Sequence, residues 1–289
     1  MNFKKQFDQY RCYVDNKIDY VLNRINAHYG LKNAMIYSLK AGGKRIRPVL
    51  FIATLESLGI EYEKYAELAV AIEFIHTYSL IHDDLPALDN DDYRRGMPSN
   101  HKVFGEGMAV LAGDALLNFA IELALNNIDC KGAFDAVKLL FDYSGVNGML
   151  NGQALDLHYE NAIIDDPESV LKKIDEYKTG KLLTAPMVMA SLIANKRHID
   201  DFRLLGTLTG QLFQFTDDLL DRVGTFENMG KTLGKDLTSG KLTAVSVYGE
   251  IRTKEIINEI YMSIIKTLKN IDNNSFFIGF YDYIKSRKS

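Results

Sequence analysis

ELAVAIEFIHTYSLIHDDLPALDNDDYRRG, residues 67–96, sets a long apolar run directly against a dense cluster of charge. The first part, 67–82, is apolar almost all the way round a helix, the pattern of a helix at the centre of a bundle rather than on its surface. The run ends in Asp83 and Asp84, with Asp89 shortly after and the adjacent Arg94 and Arg95 behind it. In an unbroken helix Asp83 and Asp89 would face directions about 240° apart. Pro86 changes that: it disfavours helical geometry at Leu85 and clashes with the carbonyl of His82, so the helix stops or kinks and Asp89 returns on a loop.

The rest of the chain reads with the same period. Residues 107–125, GMAVLAGDALLNFAIELAL, are apolar nearly all round and are expected in the bundle centre as well. Gly148, Gly152, Gly206 and Gly210 stand four apart on helical faces; each costs up to about 1 kcal/mol of helix propensity, so close approach of a neighbouring helix is expected there. Asp166 followed by Pro167 marks a helix start. No run of strict alternation suggests strands, and no internal repeat is present. The expectation is an all-α protein, a bundle of about ten helices.

The 289 residues are 47% hydrophobic and 25% charged, a globular composition, and with five prolines and no Ser/Gly/Pro-rich linker residues 1–289 are expected to form one domain. A net charge of −4 gives no electrostatic reason to expect nucleic acid. No uninterrupted apolar run reaches the roughly 18 to 20 residues of a membrane span. The start MNFKKQFDQYRC lacks a secretory signal, and the two cysteines, Cys12 and Cys130, form no disulfide framework. A reducing cytoplasm fits these features.

A second acidic cluster, TDDLLD, supplies Asp217, Asp218 and Asp221. Asp217 and Asp221 lie about 40° apart on one helical face, a destabilising pair unless a cation sits between its members. Oxygen-only donors suit Mg²⁺, which takes one or two carboxylates with waters and substrate phosphates. An acidic helix end in water is the bland alternative. DNDDYRRG is no calcium loop, because Arg94 stands where an EF-hand needs Gly. Zinc is also disfavoured, since neither cysteine has a ligand partner at suitable spacing.

Basic segments interleave with the acidic ones: GGKRIRP at 42–48, the Arg94–Arg95 pair, EYKTGK at 176–181 and MGKTLGKDLTSGK at 229–241. Singly they read as solvated helix ends and polar loops. Together they supply the charge-assisted donors that diphosphates require, and two acidic with several basic clusters suggest two diphosphates, one held through metal and one directly.

These segments, with PSNHKVFGEGMAVLAGDALL, GMLNGQALDL and FQFTDDLLD, occur in the order found in the trans-isoprenyl diphosphate synthases, which the chain resembles over nearly its whole length, most closely the bacterial farnesyl diphosphate synthases. The resemblance implies the isoprenoid synthase fold, with a central cavity and usually a homodimer. It implies that Asp83, Asp84, Asp89, Asp217, Asp218 and Asp221 bind about three Mg²⁺ ions that grip an allylic diphosphate. Arg94, Lys178, Lys231 and Lys241 would add direct contacts to that group. Lys44, Arg47, His76 and Arg95 would hold isopentenyl diphosphate without metal. Thr179 and Gln214 would line the site near the forming carbocation. The implied substrates are isopentenyl, dimethylallyl and geranyl diphosphate.

In the family, bulk just before the first acidic motif floors the pocket for the growing product. Ser79 lies one turn before Asp83 and Tyr78 beside it, and an aromatic at Tyr78 resembles the farnesyl-forming pattern; the alternative is that Tyr78 is an ordinary core aromatic. The chain departs from the family at Ala244 and Val245, where relatives often carry Tyr-Pro. Geranyl or geranylgeranyl diphosphate synthesis stays open, as a product of the same family. A terpene cyclase has no use for a second diphosphate site, and a non-catalytic partner subunit typically lacks one acidic motif.

Overall fold

The computed structural model describes residues 2–223 and 241–286. The chain opens with α1 (Phe3–Asn23), capped by the Asn2 side chain, then α2 (Tyr29–Lys40). Gly42 and Gly43 carry positive φ, and α3 (Ile46–Ser57) follows with Pro48 in its first turn, where a missing N–H costs nothing. A 3-10 turn (Tyr62–Tyr65) leads into α4 (Ala66–Asp83). α5 (Asn100–Phe104), α6 (Glu106–Leu125), α7 (Lys131–Ser144) and α8 (Met149–Tyr159) come next. α9 (Pro167–Ile174), a π-helical turn (Asp175–Gly180) and α10 (Lys181–Ile193) follow. α11 (Ile199–Val223), α12 (Ala244–Leu268), broken at Gly249, and α13 (Ser275–Ser286) complete the described chain.

α4 is buried along nearly its whole length, as its unbroken apolar run requires, and packs against α3 and α6. α10 is the other central helix: every residue from Leu182 to Ile193 is buried, and it packs against α3, α7 and α11. Residues 107–125 do not share that place. α6 buries Ala109, Ala112, Leu116 and Leu123 but leaves Val110, Leu111, Ile121 and Leu125 exposed. It is also the one described helix long and apolar enough to cross a bilayer, with a mean hydropathy of 1.7, although its buried side packs on α2 and α4. Apolar composition marks a helix that needs cover on several sides, and among the described residues α6 finds it on one side only.

Among the described residues the fold is all-α apart from one element that periodicity does not reveal. Tyr93–Arg94 and Met97–Pro98 pair antiparallel as β1 and β2, joined through Arg95 (φ 56°) and Gly96 (φ 77°), the positive angles of a tight hairpin turn. Three of the four glycines do mark close approach: a Cβ on Gly152 would meet the Lys178 backbone at 2.0 Å, one on Gly206 the Thr184 backbone at 2.6 Å, and one on Gly210 the Gly180 backbone at 2.6 Å. Gly148 differs. It precedes α8, and a Cβ there would strike the Tyr143 carbonyl of its own upstream turn. The expected start after Asp166 holds, with its carboxylate accepting from the Ser169 N–H at 3.1 Å.

Candidate active site

A cavity of about 1030 Å³ lies between α3, α4, α8, the π-helical turn and α11. Pro86 shapes its first wall as the sequence predicts. α4 ends at Asp83, and the loop turns back so that the Asp89 N–H donates to the Asp83 carbonyl at 2.9 Å, bringing the two carboxylates side by side. Burial and the neighbouring Asp89 charge push the Asp83 carboxyl up, against the pull of Lys178.

Asp84 faces away from the cavity. Its carboxylate is buried and clamped by Arg94, whose Nε lies at 2.9 Å, while the same guanidinium reaches Asp91 at 3.2 Å. Burial raises the Asp84 pKa to about 6 even with Arg94 opposing it. Asp84 thus braces the hairpin that presents Arg94 and Arg95 to the cavity. The acidic loop does not stand bare.

The basic residues expected around one diphosphate are held by carboxylates. Lys241 Nζ lies 2.6 Å from Asp89, and Lys178 Nζ lies 2.6 Å from Asp156. Burial pulls the Lys178 pKa down, but Asp83, Asp156 and Asp89 together carry it above its ordinary value. Asp156 also stands 3.7 Å from Lys241, so it serves both lysines. One turn earlier on α8, Gln153 donates to Asp83 at 2.6 Å. Sequence reasoning singled out Gly152 and passed over Gln153 and Asp156, polar residues three apart that share GMLNGQALDL with Asn151. Lys231 lies outside the described residues.

Lys178 and Thr179 sit on the π-helical turn between α9 and α10; such turns widen the backbone and recur at functional sites. Thr179 donates to Gln214 Oε1 at 3.1 Å, and Gln214 Nε2 donates to Asp218 at 2.8 Å. The other Asp218 oxygen accepts from the Ala244 N–H at 2.6 Å, at the start of α12. At this departure from the family pattern, Ala244 thus joins the start of α12 to α11. Asp217 and Asp221 line the cavity from one face of α11, as their spacing predicts, with Asp218 beside them.

Lys44, Arg47, His76 and Arg95 line the same cavity as a cationic group. Arg47 Nη1 lies 3.2 Å from His76 Nε2. Burial holds the His76 pKa well below the usual imidazole value, and Arg47, Arg95, Arg94 and Arg45 lower it further. His76 is therefore neutral at pH 7 and accepts from Arg47 through Nε2, leaving its Nδ1–H as a donor. Burial lowers the Arg47 pKa to about 10, still well above neutrality, and its Nε is a buried donor without a hydrogen-bond partner among the described residues. Lys44 Nζ stands 5.8 Å from the Tyr283 ring centroid. A buried donor surplus of this kind suits an anion with many oxygens.

Tyr78, buried and edge-on to His82, and Ser79 line the cavity behind Asp83. Among the described residues no three carboxylates, histidines or cysteines converge as a ready-made metal cage. Carboxylate oxygens from two walls are hard donors, of the kind Mg²⁺ takes together with phosphate oxygens and water.

Known proteins share this arrangement. A profile of the polyprenyl synthetase family matches residues 28–274. The farnesyl diphosphate synthase of Micrococcus luteus is 45% identical over 262 residues, covering 88% of this chain and 89% of that one. An FPP/GFPP synthase from Zymomonas mobilis superposes with a TM-score of 0.88 at 29% identity, over 99% of both chains. A geranyltransferase from Helicobacter pylori, solved with magnesium and isoprenyl diphosphate, gives 0.82 at 29% identity over 97% of this chain and 95% of that one. With its profile, its fold and its ordered motifs in agreement, this chain belongs to the polyprenyl synthetase family.

Proposed function

We propose that the protein is a prenyltransferase that condenses isopentenyl diphosphate with dimethylallyl and then geranyl diphosphate, yielding (E,E)-farnesyl diphosphate and inorganic diphosphate. The observation that carries this reading is a single cavity lined both by carboxylates of two helices, Asp83 of α4 with Asp217 and Asp221 of α11, and by Lys44, Arg47, His76 and Arg95. Asp83 and Asp89 on one side and Asp217 and Asp221 on the other would hold about three Mg²⁺ ions. Asp84 and Asp218 brace these donors through Arg94, Gln214 and the Ala244 N–H. Bound Mg²⁺ would neutralise negative charge that develops on the departing diphosphate.

Arg94, Lys178 and Lys241 add positive charge at the same place, and Lys231 completes the set implied by the motif. As the allylic C–O bond breaks, its electron pair leaves with the diphosphate, and these residues stabilise that charge more in the transition state than before it. Thr179 and Gln214 present oxygens towards the allylic cation. The alkene of isopentenyl diphosphate, held by Lys44, Arg47, His76 and Arg95, forms the new C–C bond. The departed diphosphate takes the proton that is then lost, so no protein base is needed. The apolar wall around Tyr78 keeps water from the cation and limits chain growth.

The enzyme works as a soluble cytoplasmic homodimer in this reading, and the exposed apolar side of α6 supports the dimer. Purified protein incubated with Mg²⁺, isopentenyl diphosphate and dimethylallyl diphosphate is expected to yield a fifteen-carbon diphosphate. Absence of condensation would overturn the prenyltransferase reading, and a ten- or twenty-carbon main product the farnesyl assignment.

A further inference from the structure

Among the cationic residues that line the cavity stands a carboxylate that no step of the reaction uses. Glu73, one turn before His76 on α4, is 1% exposed and lines the cavity floor. Its Oε1 accepts from Arg45 Nη1 at 2.8 Å, and its Oε2 is buried without a hydrogen-bond partner among the described residues. By Coulomb's law alone a buried carboxylate beneath an anion site weakens anion binding, so this placement needs another reason.

Arg45 supplies it. Its backbone is left-handed (φ 50°, ψ 35°), strained for a residue with a side chain, and it is the N-cap of α3 between Lys44 and Arg47. Such a conformation persists where the surroundings over-determine it. The guanidinium is tied on three sides: to Glu73, to Asp15 on α1 at 2.9 Å through Nε, and to the Leu39 carbonyl at the end of α2. The neighbouring Lys44 and Arg47 take their direction from this fixed point.

We infer that Glu73 is a positioning residue for the metal-free diphosphate subsite, locking Arg45 in its left-handed conformation so that Lys44 and Arg47 are aimed at one diphosphate. The inference rests on reading this cationic group as the isopentenyl diphosphate subsite. The sign of the effect separates positioning from charge: loss of aim weakens binding, whereas loss of a negative charge strengthens it.

The test is steady-state kinetics of the full-length Glu73→Gln enzyme, varying each substrate in turn. KM for isopentenyl diphosphate is expected to rise about tenfold, with KM for geranyl diphosphate changed less than about twofold. A fall in the first KM, no change in it, or equal rises in both would overturn the positioning role. Asp15→Asn loosens the same guanidinium from a half-exposed position and is expected to give the same split at smaller size, which keeps the test open if Glu73→Gln does not fold. Arg47→Ala separates the two failures. If it leaves KM for isopentenyl diphosphate unchanged, the subsite reading falls and this inference with it; if it raises that KM while Glu73→Gln does not, only the positioning role falls.

Discussion

Arg94, Lys178 and Lys241 already lie on carboxylates before any substrate arrives, on Asp84, Asp156 and Asp89 respectively. Removing one partner of such a buried pair leaves the other uncompensated, so each pair fixes its cation in place. That is why dense acidic sequence around 83–92 does not appear as repulsion in the fold. The acidic motifs were legible because charge in or just after an apolar helix is conspicuous, and the basic segments only through their combination and their order along the chain. Asp156 was not, since a single Asp near a helix end resembles an ordinary surface residue until Lys178 and Lys241 are seen on either side of it. Tyr78 acts at the same scale. It is buried behind Asp83 and supplies bulk at the cavity wall, so Tyr78→Ala should lengthen the product towards geranylgeranyl diphosphate, read by chromatography of the dephosphorylated products. An unchanged chain length would return Tyr78 to the role of a core aromatic.

The π-helical turn is the element on which the two walls depend. It carries Lys178 and Thr179, and it can lie against α8 and α11 only because Gly152 and Gly210 have no side chain. Gly210→Ala would place a Cβ 2.6 Å from the Gly180 Cα, a clash that backbone must relieve. The expected outcome is a loss of about 1–3 kcal/mol in thermal or denaturant unfolding, accompanied by lower turnover because Thr179 is displaced. Stability and turnover both at wild-type level would contradict this role. Helices and their breaks were legible at this scale: Pro86, Asp166 and the glycine pair at 42–43 each act through local geometry. The β1–β2 hairpin was not, because two-residue strands are too short to show alternation, and it is held by the Arg95–Gly96 turn and the anchoring of Arg94. The places of α6 and α10 were likewise illegible, since apolar composition states how much cover a helix needs without saying what provides it.

At the scale of the whole molecule, α6 leaves Leu111 and Leu125 more than half exposed, at 54% and 56%, and Phe134 on α7 is exposed at 53%. Apolar surface of this kind on a helix that also packs on the core of its own chain is what a second copy would cover. The protein should therefore sediment as a dimer, and Leu111→Asp should shift it to monomer; a wild-type monomer at micromolar concentration would refute the dimer. The cavity unites motifs from α3 to α11, and the proposed chemistry depends on carboxylates from both its walls. The most direct test of that claim is turnover of Asp83→Asn and Asp217→Asn at saturating Mg²⁺ with isopentenyl and geranyl diphosphate, alongside circular dichroism. Each variant is expected to keep the helical fold and lose turnover by at least about a hundredfold. A folded variant of either kind that turned over at the wild-type rate would contradict the two-walled site.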